Sequence, residues 1–174
     1  MHHLLPRSAL AVLLALQLPW GGAVAAPGPG RCAPPADLTR LSGVWQAEAL
    51  AHVSGGVAAS RQRLQLQVGA DGRVRGQRDW AAVQTGAGAV QGRNRQGQPA
   101  FREVEPLIGW IEPRSCRVLL VETEDSGRVS GWLRRDAGGP VLELEVSQSG
   151  RGAVAVLAEF RRLPGAQPGA APRP

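Results

Sequence analysis

The sequence predicts an all-β protein, an antiparallel meander of about eight strands closed into one small barrel. Three observations lead there. Apolar residues recur at every second position, as in Leu64, Leu66 and Val68, or in Val154, Val156, Ala158 and Phe160. Short Gly/Asp/Ser clusters separate these runs. Turns that short join only antiparallel neighbours, so order along the chain becomes order around the sheet, and a sheet of this size hides its edges by closing. A sandwich with crossed connections is the rival arrangement.

Taken in order, the chain opens on an export signal. Arg7 precedes an apolar run over 8–18; Pro19, Gly21 and Gly22 follow, then Ala23-Val24-Ala25. That succession is what a signal peptidase reads, so residues 1–25 are expected to be a cleaved signal peptide. The run falls short of the roughly 20 residues that cross a bilayer. No later run is long enough, so no transmembrane segment is expected after cleavage. The expected location is the periplasm or the secreted space. Arg31 stands where a lipid-attachment signal before Cys32 would want a small residue.

Residues 26–40 form a Pro/Gly-rich lead-in carrying Cys32, residues 41–162 the barrel domain, and residues 163–174 a Pro/Ala/Gly tail expected to be disordered. Within the domain, strands are predicted at 44–50, 61–68 and 73–80. Residues 81–99 are Gly/Gln/Arg-rich and read as a long loop or a poorly patterned strand. One strand centred on 107–110 follows, then strands at 117–123, 128–134, 141–147 and 153–162, each bounded by a turn. Only 37–41 looks helical, as one capped turn. The segment Asp71-Gly72-Arg73-Val74-Arg75-Gly76 echoes Ser126-Gly127-Arg128-Val129-Ser130-Gly131, one hairpin geometry used twice, with Gly76 and Gly131 permitting strand curvature.

The chain carries a net charge of +6, and every basic residue is arginine. Arg61, Arg63, Arg73 and Arg75 alternate with other residues as a solvated sheet face does; the functional alternative is a surface for acidic partners such as anionic headgroups. No aromatic-interleaved basic motif is present, so nucleic acid is not an expected partner. Cys32 and Cys116 allow one pairing, and in an oxidising compartment they are expected to form a disulfide. A loop that long gives roughly 4 to 5 kcal/mol in the chain-entropy model.

No catalytic residue, metal ligand or cofactor site is expected, and the chain is not read as an enzyme. His52 is the sole histidine after the signal, which leaves a Ser-His-acid arrangement without support. Glu122, Glu124 and Asp125 cluster at a hairpin, where turn chemistry accounts for Asp125-Ser126-Gly127. Glu103, Glu105, Glu143 and Glu145 alternate with apolar residues and are expected to face outward.

Leu41-Ser42-Gly43-Val44-Trp45 opens the first strand and Glu159-Phe160-Arg161-Arg162 ends the last. In these positions the chain resembles the calycin superfamily of lipocalins, fatty-acid-binding proteins and avidins, whose barrels begin with Gly-x-Trp and close on a late basic residue. The resemblance implies Trp45 as the plug of the closed end, with Arg161 or Arg162 packed across its indole. It does not extend to biotin recognition, because the chain has no tyrosine, nor to the helix that follows a lipocalin barrel.

Three more tryptophans follow. Trp80 shares parity with Val74 and is expected inside. With Trp110, Leu64, Leu66 and Val68 it forms the candidate lining of a ligand cavity. Trp132 has the opposite parity to Val129 and Leu133 and is expected outside, offering a surface for a partner subunit. Two functions result: a barrel binding a small apolar or amphipathic ligand, or an interaction module that engages an envelope protein or inhibits a secreted hydrolase. A cavity lined by Trp80 and the leucines favours the first; a filled interior with an exposed apolar patch favours the second.

Overall fold

Alternating side chains make strands wherever the alternation runs unbroken, and the computed structural model, which describes Cys32 and residues 34–165, contains ten. The expected signal peptide, about half of the lead-in (26–31 and 33) and residues 166–174 of the tail lie outside the described residues. The strands are β1 (Gly43–Val53), β2 (Gly56–Val68), β3 (Arg73–Ala82), β4 (Gly92–Arg93), β5 (Pro99–Ala100), β6 (Arg102–Ile111), β7 (Arg117–Glu122), β8 (Arg128–Asp136), β9 (Gly139–Gln148) and β10 (Val154–Arg162). Eight of them close a barrel in the order β1-β10-β9-β8-β7-β6-β3-β2, about 8 Å in radius. The sandwich is excluded: first and last strands pair.

The short β4 and β5 form a separate two-stranded hairpin within the connection from β3 to β6. The Gly/Gln/Arg-rich segment is therefore mostly loop. β2 begins at Gly56, earlier than its alternation begins. There the β1–β2 ladder continues to Val53 opposite Gly56, and ladder hydrogen bonds extend a strand whose own side chains carry no pattern. The closing seam of β1 and β10 pairs at Trp45–Gln46 and again at Ala51–Val53, in one register with an unpaired stretch between.

Inward positions fill the end at which β1 starts. Trp45, Leu64, Leu66, Leu107, Ile111, Leu133, Leu142 and Phe160 are all essentially inaccessible there. A 3-10 turn, Leu38–Leu41, lies across this end and buries Leu38 and Leu41. Asp37 caps it by accepting from the Thr39 backbone N–H at 3.0 Å. The indole Nε1 of Trp45 donates to the Leu41 carbonyl at 3.0 Å, so the plug satisfies its one polar atom while burying its ring.

Cys32 bonds to Cys116 across 84 residues, with Cα atoms 5.3 Å apart, and so pins the lead-in to the turn between β6 and β7. Cys116 holds a left-handed backbone (φ 57°), a conformation a non-glycine residue keeps only when its surroundings fix it. Two things fix it: the disulfide, and the Leu133 N–H donated to its carbonyl at 2.8 Å.

Gly76 and Gly131 occupy inward positions where the neighbouring strand passes very close. A Cβ on either would overlap a carbonyl oxygen, that of Gln65 or Glu143. The repeated hairpin thus marks two places where the wall bends too sharply for a side chain. Trp45→Ala should cost about 3 to 5 kcal/mol and Gly131→Ala about 1 to 3 kcal/mol in urea unfolding. A loss below 1 kcal/mol for Trp45→Ala would mean that the indole does not plug the barrel.

Candidate functional site

The interior changes character along the barrel axis. Beyond the apolar end, the inward positions are Ser60 and Gln62 on β2, Arg78 and Trp80 on β3, Glu103 and Glu105 on β6, and Glu122 at the end of β7. Glu103 and Glu105 are thus buried, where alternation was expected to turn them outward. Both faces of β6 carry apolar residues, Val104, Ile108 and Trp110 on one, Leu107 and Ile111 on the other. A period of two cannot choose between such faces. Leu107 and Ile111 are the ones inside, and the glutamates share their parity. Glu143 and Glu145 do face solvent.

Arg78 organises this polar half. Its side chain is 2% exposed, and it donates to four acceptor contacts. Nε and Nη2 reach Glu122 Oε1 at 3.1 and 2.8 Å, Nη2 also reaches Glu105 Oε2, and Nη1 reaches Gln62 Oε1 at 3.2 Å. Gln62 passes the chain on: its Nε2 donates to Ser60 Oγ at 3.1 Å, whose hydroxyl donates to the Ala49 carbonyl at 3.2 Å. Trp80 Nε1 donates to Glu105 Oε1 at 3.3 Å. A buried guanidinium is tolerated only when its own donor nitrogens are all partnered in this way.

The loop over the mouth is tied to the same half. Glu103 accepts from the Arg95 backbone N–H at 2.9 Å and from Arg95 Nε at 3.2 Å. Arg95 also pairs with Glu124. Gly92 lies flat on the Trp80 indole, where a Cβ would come within 2.7 Å of Cη2. Beneath it, Trp80, Ala51, Ala58, Val53, Val154 and Gln148 border a cavity of about 40 Å³. That holds a few waters, against the roughly 300 Å³ or more of a drug-sized ligand site.

Of the candidate lining, only Trp80 borders this cavity. Leu64, Leu66 and Val68 face inward but are packed into the apolar half. Trp110 is not inside: at 58% exposure it stands on the outer face of β6, because it shares parity with Ile108 rather than Ile111, and there it borders an open groove of about 520 Å³ with Val68 and Val74. Trp132 is outside as expected, 51% exposed. Arg161 points outward to Asp136 at 2.6 Å. Arg162 is the register partner of Trp45, and its Nε would lie 2.7 Å from a Cβ on Gly43. His52 is exposed on the outer face of β1.

No protein-family model matches the chain, and no curated protein matches it. The chemistry of its own residues carries the functional reading.

That chemistry centres on proton affinity and charge. Burial pushes the Glu105 carboxyl up to about 7; Arg78 pulls it down and the nearby Glu122 pushes it up again. Sequence reasoning missed Arg78 and Glu105, although Arg78 shares the parity of Val74 and Trp80. The signal was legible in β3 alone.

Two outcomes follow. Arg78→Met leaves two buried carboxylates without their counter-ion and should cost about 3 to 5 kcal/mol in urea unfolding. Glu105 keeps its proton in the folded barrel where the unfolded chain, with an ordinary value of 4.5, has lost it. Its contribution to stability is complete below about pH 4.5 and disappears as pH rises through about 7. The melting temperature in chelator-containing buffer should therefore fall between about pH 5 and pH 8, and Glu105→Gln should flatten that slope. Asp37, Asp71, Glu112 and Asp136 are all held low by hydrogen bonds and act only at more acidic pH. Equal slopes in the two proteins would contradict the assignment.

Proposed function

We propose that the chain is an exported, calycin-like barrel that works as a non-enzymatic interaction module through the outer face of β6, β7 and β8. One observation carries this reading: five large apolar side chains, Ile108, Trp110, Leu119, Val121 and Trp132, stand exposed on three adjacent strands. Trp110 is directly opposite Leu119, and Ile108 opposite Val121, so the exposed surface is continuous. Soluble monomers rarely leave such a patch uncovered, and tryptophan is the residue most often found at the energetic centre of an interface. The calycin assignment is supported by Gly43-Val44-Trp45 at the start of β1, by the buried indole and by Arg162 opposite it.

Charge narrows the partner. Arg117 is the register partner of Trp132, Arg128 of Val121, Arg73 of Trp110 and Arg75 of Ile108. Glu143 flanks Trp132 on its other side, so the apolar centre is edged mainly by arginines and suits a protein surface that presents apolar groups ringed by carboxylates.

The ligand-binding reading rests on the cavity at Trp80. Its size restricts the occupant to a very small amphipathic molecule, apolar against Ala51, Ala58 and Val154 and polar toward Gln148 and Gln62. Anything larger needs the segment over Gly92 to move off the indole.

Native mass spectrometry of the protein purified from its own compartment separates these readings. A reproducible protein adduct is expected, lost in the Trp110→Glu/Trp132→Glu double variant while the melting temperature holds. A homodimer lost in that variant would make a second copy the partner. A bare monomer, or a small molecule that survives the double substitution, would overturn the interaction reading.

A further inference from the structure

Glu105, Glu122 and Asp125 each bring one carboxylate oxygen to within 4.8 Å of the others. They come from β6, from the end of β7 and from the turn after it, so only the closed topology assembles them. The cluster visible along the chain, Glu122-Thr-Glu124-Asp125, is not the one that forms: Glu124 turns away to Arg95 and Glu105 takes its place.

A second observation points to an occupant. The Glu122 side chain is fully buried. Its Oε1 accepts from Arg78, but Oε2 is buried with no hydrogen-bond partner among the described residues. A buried acceptor left in that state costs about 1 to 3 kcal/mol, and more when charged. Gly127 makes room for the carboxylate itself, since a Cβ there would overlap Oε2 and Cδ. Asp125, only half-buried, gives the cluster a side toward solvent; it accepts from the Ser126 N–H at 2.5 Å and from Gln148 Nε2 at 2.7 Å.

We propose that Glu105, Glu122 and Asp125 bind one hard divalent cation, and that calcium fits best. The donors are all carboxylate oxygen, which selects hard cations over zinc or copper. With all three carboxylates ionised, Arg78 offsets one of the negative charges, and a divalent ion matches the two that remain. Coordination habit separates the candidates. Calcium accepts an irregular set of protein oxygens at about 2.3 to 2.6 Å, whereas magnesium demands a near-ideal octahedron at about 2.0 to 2.1 Å and gives up its waters reluctantly. The bound ion would give Glu122 Oε2 the partner it lacks and would hold the β7–β8 turn against β6. This inference is independent of the partner surface on the outer face.

Trp80 supplies the assay. Its indole donates to Glu105 Oε1 at 3.3 Å, close enough to excite a lanthanide held by the same carboxylates. Chelator-stripped, oxidised full-length protein titrated with terbium should show saturable, tryptophan-sensitised emission. Calcium should displace it, magnesium at least tenfold less effectively, and calcium alone should raise the melting temperature. Glu122→Gln keeps the side chain's size and should weaken terbium binding tenfold or more. Asp125→Asn, at the exposed edge, should do the same and serves if Glu122→Gln does not fold. Glu124→Gln should bind as the wild type does. Absence of calcium-displaceable emission in the wild type would overturn the site, as would unchanged binding in both carboxamide variants or an equal loss in Glu124→Gln.

Discussion

An eight-stranded barrel of this radius has an interior of nearly fixed volume, and every second residue of each strand must occupy it. The choice of inward residue is therefore the constraint on which the whole molecule rests. At the end where β1 starts the choice is bulk: Trp45, Phe160 and a layer of leucines fill the section without remainder. Where backbones converge at Gly76 and Gly131, the choice is no side chain at all. Toward the mouth the bulk is replaced by charge, and the interior is held by directional bonds rather than by shape.

The two halves put different demands on the wall. Apolar packing tolerates exchange of one hydrocarbon for another of equal volume. The Arg78 network does not, since each of its members satisfies another and the loss of one strands the rest. Glu105 shows the tension most clearly: it sits beside a guanidinium, yet burial and Glu122 outweigh that attraction and leave it easily protonated. The polar half thus carries more acid than its own arginine neutralises. The apolar half carries no such excess, which is why responses to pH or to ions belong at the mouth.

Strand positions, the meander and the burial of Trp45 were legible in the sequence, because most strands show one apolar and one polar face. Closure of the ring followed from turn length. β6 escaped the same reading for a definite reason: with apolar residues on both faces, its alternation fixes spacing without fixing direction, and Glu103, Glu105 and Trp110 were all misplaced together by that one reversal. Arg78 escaped differently. Its inward parity was visible, but a charged residue in a core position reads as an error until its partners are known, and these lie 27 and 44 residues away on other strands. The size of the cavity was never in the pattern, since it depends on how Gly92 covers Trp80.

The closing joint between β1 and β10 is fastened near both ends and left unlaced in the middle, with Leu50 and Leu157 bare to solvent nearby. Every other joint was fastened by chain connection and ladder together, whereas this one relies on docking of the two most distant strands. It is the natural point for the cylinder to breathe, and for its last strand to be exchanged with that of a sister molecule at high concentration. The disulfide bears on that weakness only indirectly: it anchors the segment leading into β1 to the far wall, so a barrel that opens at this joint keeps its first strand and lets go of its last.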